Sequence, residues 1–253
     1  MRGSIRLAAP CRCVPVNSDV RPHRHAHMTA TTFAAAGSQR WLQIAVTHAP
    51  DVLRQALIVS GAITSDEDVE WSAPLASEGF AEPRDGEALR KAGISELPVR
   101  SLAEFWPQRG PVWDAVARVG NLASLFLEAK AKVREAASPP SKASPKSLKK
   151  IQAALQEARS FYAPESTADW HGVFYQYANR LAHHYLVCQV NRRDSRLVFL
   201  YFLNAQDVRG PKSIAEWQAV TNLIHAALGL PPELHRHRVH HAYVDVEALV
   251  NAA

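Results

Sequence analysis

Pro111-Val112-Trp113-Asp114-Ala115-Val116-Ala117-Arg118, then Val119-Gly120-Asn121-Leu122-Ala123, then Ser124-Leu125-Phe126-Leu127-Glu128-Ala129-Lys130-Ala131-Lys132-Val133 run on without a break. The outer stretches read as strands and the middle one as the turn of a hairpin. With Asn121 at the centre of the turn, antiparallel pairing sets Asp114 opposite Glu128. Directly opposed side chains share a face, with Cβ atoms roughly 4.5–5.5 Å apart. Lys130 lies two residues beyond Glu128, so the period of two places it on that face as well.

Two opposed carboxylates repel, and such a pair weakens a sheet. Leu125, Phe126, Leu127 and Ala129 surround Glu128 with apolar side chains. Burying unpaired charge in such a setting is costly. A divalent cation would remove the conflict, because Mg²⁺ is held by one or two carboxylates plus waters and phosphate oxygens. An acid-x-Lys on a strand also reads as a solvated ion pair worth about 0–1 kcal/mol. The apolar flanks and the hairpin register favour an assembled site.

An Asp on one strand followed across a hairpin by Glu-x-Lys resembles the PD-(D/E)XK nuclease superfamily. Pro111 stands three positions ahead of Asp114 rather than beside it. The resemblance rests on about twenty residues. It implies an α/β fold, the restriction-endonuclease-like αβββαβ core, with a mixed central sheet flanked by helices. It implies that Asp114 and Glu128 bind Mg²⁺ or Mn²⁺, that Lys130 serves the attacking water, and that a nucleic-acid phosphodiester is cleaved. DNA is the expected polymer. The main alternative is a protein of this fold without cleavage activity, acting as a nucleic-acid-binding or assembly module. A third reading is an enzyme of another class whose Glu-x-Lys is only a structural pair. Related nucleases carry a Gln or Arg on the helix after the acidic strands, and Gln176, Asn179 and Arg180 are the local candidates for metal-site support or a phosphate clamp.

The composition permits this. The chain has 253 residues, 47% hydrophobic and 21% charged, which is ordinary for a globular domain with one sizeable core. A net charge of +5 and a pI near 9.2 suit a polyanionic partner. No run of about 20 apolar residues suggests a membrane span. Three cysteines (Cys11, Cys13, Cys188) make no disulfide framework, and a cytoplasmic location is expected.

Residues 1–37 read as a disordered or spurious extension, with Met28 a candidate start, and residues 38–253 as the nuclease-like domain. Cys11-x-Cys13 with His23, His25 and His27 is too tightly spaced for the usual zinc motifs. A first helix runs from about Gln39 to Thr47 and resumes over Asp51–Ser60, and Val69–Trp71 reads as a short strand. A further helix spans Glu87–Ala92. Glu82, Asp85 and Glu104 lie in this irregular region, and nothing selects one of them as a further ligand.

Ala136–Ser147 reads as a flexible basic linker. Its lysines, with those that follow, are either solvated or contact phosphate through Lys142, Lys146, Lys149 and Lys150. Ser147 is placed as the cap of a helix through Ser160, and a second helix is expected over Trp170–Val190. The apolar run Arg196–Asn204 suits a strand buried on both faces. A helix over Glu216–Leu228 ends at Gly229, and Val239–Val246 reads as the last strand. His235, His237, His240 and His241 straddle a loop and that strand, without an acidic or thiol partner at ligand spacing.

Overall fold

A computed structural model describes residues 32–252. Cys11, Cys13, His23, His25, His27 and most of the expected 1–37 extension lie outside the described residues. The helices are α1 (Gly37–His48), α2 (Pro50–Val59), α3 (Asp85–Lys91), α4 (Leu102–Phe105), α5 (Pro145–Tyr162), α6 (Tyr175–His184), α7 (Ile214–Leu228) and α8 (Val246–Ala252). The strands are β1 (Val69–Ala73), β2 (Ala115–Val119), β3 (Ala123–Lys130), β4 (Ser195–Leu203) and β5 (Val239–Asp245). They form one sheet in the order β1-β2-β3-β4-β5. The first three pair antiparallel, and β3, β4 and β5 run parallel. The architecture is α/β, a five-stranded mixed sheet flanked by helices.

The hairpin has the expected register, from Ala115 opposite Leu127 to Val119 opposite Ala123. Gly120, Asn121 and Leu122 make the turn, and Gly120 adopts φ 53°, a left-handed conformation that costs glycine little. The first strand of the hairpin is shorter than expected. Residues before Ala115 pair instead with the segment ahead of α3: Val112 bridges Arg84, and the Trp113 N–H donates to the Pro83 carbonyl at 2.9 Å.

Alternation along β3 sends its side chains into two apolar layers. Leu125, Leu127 and Ala129 join Val198, Leu200 and Phe202 beneath α1, α2 and α8, against Leu42, Leu53, Leu57 and Leu249. Phe126 joins Leu197, Phe199 and Tyr201 on the other face, against Ile151, Leu155, Leu181 and Trp217 of α5, α6 and α7. Each such side chain taken fully out of water contributes about 1.5–3 kcal/mol. β4 is buried on both faces, as its unbroken apolar run requires.

Two helix ends differ from expectation. Pro145 occupies the first turn of α5, and the Ser144 hydroxyl, not Ser147, is the cap, accepting from the Ser147 N–H at 3.4 Å. The helix expected over Trp170–Val190 begins only at Tyr175, and Tyr185–Val190 is a π-helical turn. Gly229 closes α7 at φ 67°. Among the described residues, no helix is long and apolar enough to cross a membrane.

Candidate metal and phosphate site

Asp114 sits one residue ahead of β2, and Glu128 and Lys130 end β3 on the face covered by α6. Asp114 does not simply face Glu128. Its Oδ2 accepts the Ala129 N–H at 2.7 Å, which anchors the carboxyl across the mouth of the hairpin. Glu128 is only 1% exposed. Its Oε1 accepts from the Lys130 ammonium. Its Oε2 accepts from Arg180 Nε at 2.7 Å and lies 2.6 Å from Arg180 Nη2 in the same ion pair. Lys130 also donates to Gln176 Oε1 at 3.1 Å.

Arg180 is more deeply engaged than a polar helix face suggests. Nη1 donates to Asn179 Oδ1 at 2.8 Å and Nη2 to the Val112 carbonyl at 2.7 Å. The guanidinium lies 4.9 Å from the centre of the Trp113 ring, a cation–π contact. Asn179 and Arg180 are buried, so they belong to the interior and not to a solvated stripe. Asp114, Glu128, Lys130, Gln176, Asn179 and Arg180 therefore form one connected cluster.

The electrostatics follow from this packing. Burial and the neighbouring Glu128 charge push the Asp114 carboxyl up to about 8, although Asp114 keeps some exposed surface. Burial alone would raise Glu128 too, but Arg180 and Lys130 outweigh it and hold Glu128 below the usual carboxylate range. With the proton held on Asp114, the Glu128 carboxylate faces the two cations Lys130 and Arg180, so these four groups together are positive. Glu82 is raised as well, first by burial and then by the charge of Glu128. It accepts from Gln39 of α1 at 3.0 Å. Glu82 is thus the acid that sequence reasoning left unselected. It reaches the cluster because Pro83 and Arg84 pair with Trp113 and Val112, a nonlocal contact without a periodic signature.

The linker helps place α6. Ser138 donates its N–H to the Val173 carbonyl at 2.7 Å, and its hydroxyl accepts the Gln176 N–H at 2.8 Å. Ala136–Ser147 is therefore not a free linker at its start. Lys142, Lys146 and Lys149 are exposed, whereas Lys150 is half-buried and donates to the Ala103 carbonyl of α4. That engagement takes Lys150 out of a set of freely solvated lysines.

The four late histidines do not share one site, and His235 is exposed. His240 bonds the Ser60 carbonyl at 3.1 Å beside α2, His241 faces Tyr177 on the other side of the sheet, and His237 packs edge-on against Phe161. Among the described residues, no group of three or more His, Cys, Asp or Glu is arranged to hold a metal ion. Asp114 and Glu128 offer two carboxylates, a donor set that suits a hard ion completing its shell with water and phosphate oxygen. No protein-family model matches the chain, and no curated protein or solved structure matches it.

Proposed function

We propose that this chain is a Mg²⁺- or Mn²⁺-dependent nuclease with a restriction-endonuclease-like core. The observation that carries the reading is the Asp114–Glu128 pair at the mouth of the hairpin, in which the charge of buried Glu128 raises Asp114 while Lys130 pairs with Glu128. The order of elements supports it: α1 and α2, then β1, β2 and β3 with the short α3 and α4 inserted between β1 and β2, then α5 and α6, then β4 parallel to β3.

A bound Mg²⁺ supplies Lewis acidity and a water of lowered pKa. Asp114 and Glu128 would hold it, with Asp114 giving up its proton. Lys130 offers its ammonium to the attacking water or the developing phosphate charge. Gln176 fixes that ammonium from the far side through its 3.1 Å contact. Arg180 is 3% exposed, with Nε, Nη1 and Nη2 all donating to partners, so it positions Glu128 and does not clamp phosphate. Exposed Lys142, Lys146 and Lys149 supply the contacts to a nucleic-acid backbone, DNA first among the polymers to test.

Lys130→Ala is expected to lower Mg²⁺-dependent cleavage of labelled nucleic acid by about 10²–10⁴-fold, the range of a lost proton-transfer group. Its far-UV circular dichroism should stay native. Undiminished cleavage by the purified variant would remove Lys130 from the chemistry. The second reading, a binding or assembly module without cleavage, draws on one observation: both Glu128 oxygens already meet cations of the chain itself. Calorimetric Mg²⁺ titration separates the two. The nuclease reading expects binding that Asp114→Ala abolishes, and the module expects none that depends on Asp114.

A further inference from the structure

A second convergence of ligand atoms lies away from the carboxylates. His225 Nε2 on α7 and His241 Nε2 on β5 both point at the Tyr177 hydroxyl on α6, each at 3.0 Å. Glu128, Phe199 and His241 are successive partners across β3, β4 and β5. Two strand spacings put His241 roughly 10 Å from Glu128 across the sheet, while Tyr177 stacks on Phe199, the strand neighbour of Glu128. The three ligand atoms are distinct from those of the carboxylate cluster.

Its geometry is that of a ligand set. The two imidazole centres are 5.4 Å apart, and the Tyr177 ring centre is 5.9 Å from His225 and 6.4 Å from His241. A tetrahedral ion with metal–nitrogen distances of about 2.0–2.1 Å holds two imidazole centres about 5 Å apart. The oxygen is fixed in place, because Tyr177 stacks on Phe199 with ring centres 3.9 Å apart and planes within 7°. The hydroxyl has a single proton, so it can donate to only one of the two nitrogens facing it. Burial holds His225 down at about 4 and His241 at about 3. Both rings are neutral at neutral pH, the form that binds metal. Tyr177 and His225 are buried, whereas His241 is half-buried on β5, an edge strand.

We propose that Tyr177, His225 and His241 form a binding site for a divalent transition-metal ion of the Zn²⁺ class, independent of the carboxylate pair. Imidazole nitrogen selects such ions over Mg²⁺. Burial raises the Tyr177 phenol well above its ordinary value, so the charge of the ion has to displace that proton to solvent; the phenolate is then the third ligand, and water takes the fourth position. The ion ties α6, α7 and β5 together at one point.

The test uses the full chain, stripped of metal by chelation, with Co²⁺ and Zn²⁺ as probes. An Asp114→Asn/Glu128→Gln variant removes both carboxylate charges while keeping oxygens for the Ala129 N–H and for Arg180. In that background one equivalent of Co²⁺ is expected to give d–d absorption bands, and Zn²⁺ to quench them by displacement. His225→Gln and His241→Gln should each abolish the bands, and Tyr177→Phe should shift them. Bands that survive both histidine variants place the metal elsewhere and overturn the proposal. If a histidine variant fails to fold, the wild-type chain still decides. Zn²⁺ should shift the Nε2 resonances assigned to His225 and His241 in ¹H–¹⁵N spectra. Zn²⁺ that leaves both of these resonances in place sinks the site.

Discussion

Glu128 is the residue on which the rest of the cluster leans. It is 1% exposed and ionised only because Arg180 and Lys130 accompany it. Removing one partner of a buried ion pair costs about 3–5 kcal/mol, since the other charge stays behind without water. Arg180→Met should therefore lower the unfolding free energy by about that much in urea melts. Arg180→Met combined with Glu128→Gln should recover part of the loss, and the double-mutant cycle measures the coupling. Asp114 makes the opposite kind of prediction. Its carboxyl is raised from 3.8 to about 8, so the metal-free fold keeps a proton that the unfolded chain sheds. Its contribution to stability is fully present below about pH 4 and declines as pH rises towards 8. Asp114→Asn keeps an oxygen for the Ala129 N–H and has nothing to titrate. The variant's Tm should pull ahead of the wild type progressively between pH 4 and pH 8, by on the order of 10 °C at the upper end, at about 1.4 kcal/mol per pH unit and about 2–4 °C per kcal/mol for a chain of this size. Melting curves in chelator across that range provide the check. Asp114, Glu128 and Lys130 were legible in the sequence because a tight hairpin makes their relation local. Glu82 was not, since it reaches them through a pairing between segments nearly thirty positions apart. The burial of Asn179 and Arg180 was equally hidden: a polar side chain reads as solvated until its partners are known.

Among the elements, β3 and β4 were readable from apolar runs, and α7 from its period and its terminal glycine. The end of α6 was not, because the π-helical turn over Tyr185–Val190 has no distinct residue pattern. Here His184 lies between the Tyr162 hydroxyl at 2.7 Å and the Ser195 carbonyl at 3.0 Å, tying α6 to α5 and to the start of β4. That start is held from the other side as well. Arg196 donates to both oxygens of Glu67, at 2.7 and 2.6 Å, and to the Ala62 carbonyl at 2.8 Å. Arg196 pulls Glu67 down to about 2 from its ordinary 4.5. A depressed carboxylate stabilises the fold above the unfolded value and loses that contribution as pH falls from about 4.5 towards 2. Glu67→Gln should cost about 1.5–3 kcal/mol at pH 7, the scale of hydrogen bonds to a charged group. The gap from wild type should close by pH 2, and denaturant unfolding at the two pH values tests it.

At the scale of the whole molecule, the sheet divides two apolar layers, and the proposed chemistry stands on the layer of α5, α6 and α7. The excess of positive charge, +5 over the chain, suits long-range attraction to a polyanion. If Lys142, Lys146 and Lys149 touch phosphates, each replacement by Ala should reduce the salt dependence of duplex binding by about 0.9 in log Kd against log salt. Fluorescence anisotropy over a salt series reads that slope directly, and an unchanged slope would assign these lysines to open solvent. The alternation of β3 has one more consequence. Odd-numbered positions from Leu125 to Ala129 serve one layer, and even-numbered ones from Phe126 to Lys130 serve the other. The strand therefore behaves like a reading frame of two. Gaining or losing a single residue inside it would hand the acid and the amine to the leucines of α1 and α2, and deliver leucine to Arg180. Insertions can drift through the exposed turn at Leu122, but a few positions further along the same event would invert the meaning of every side chain that follows.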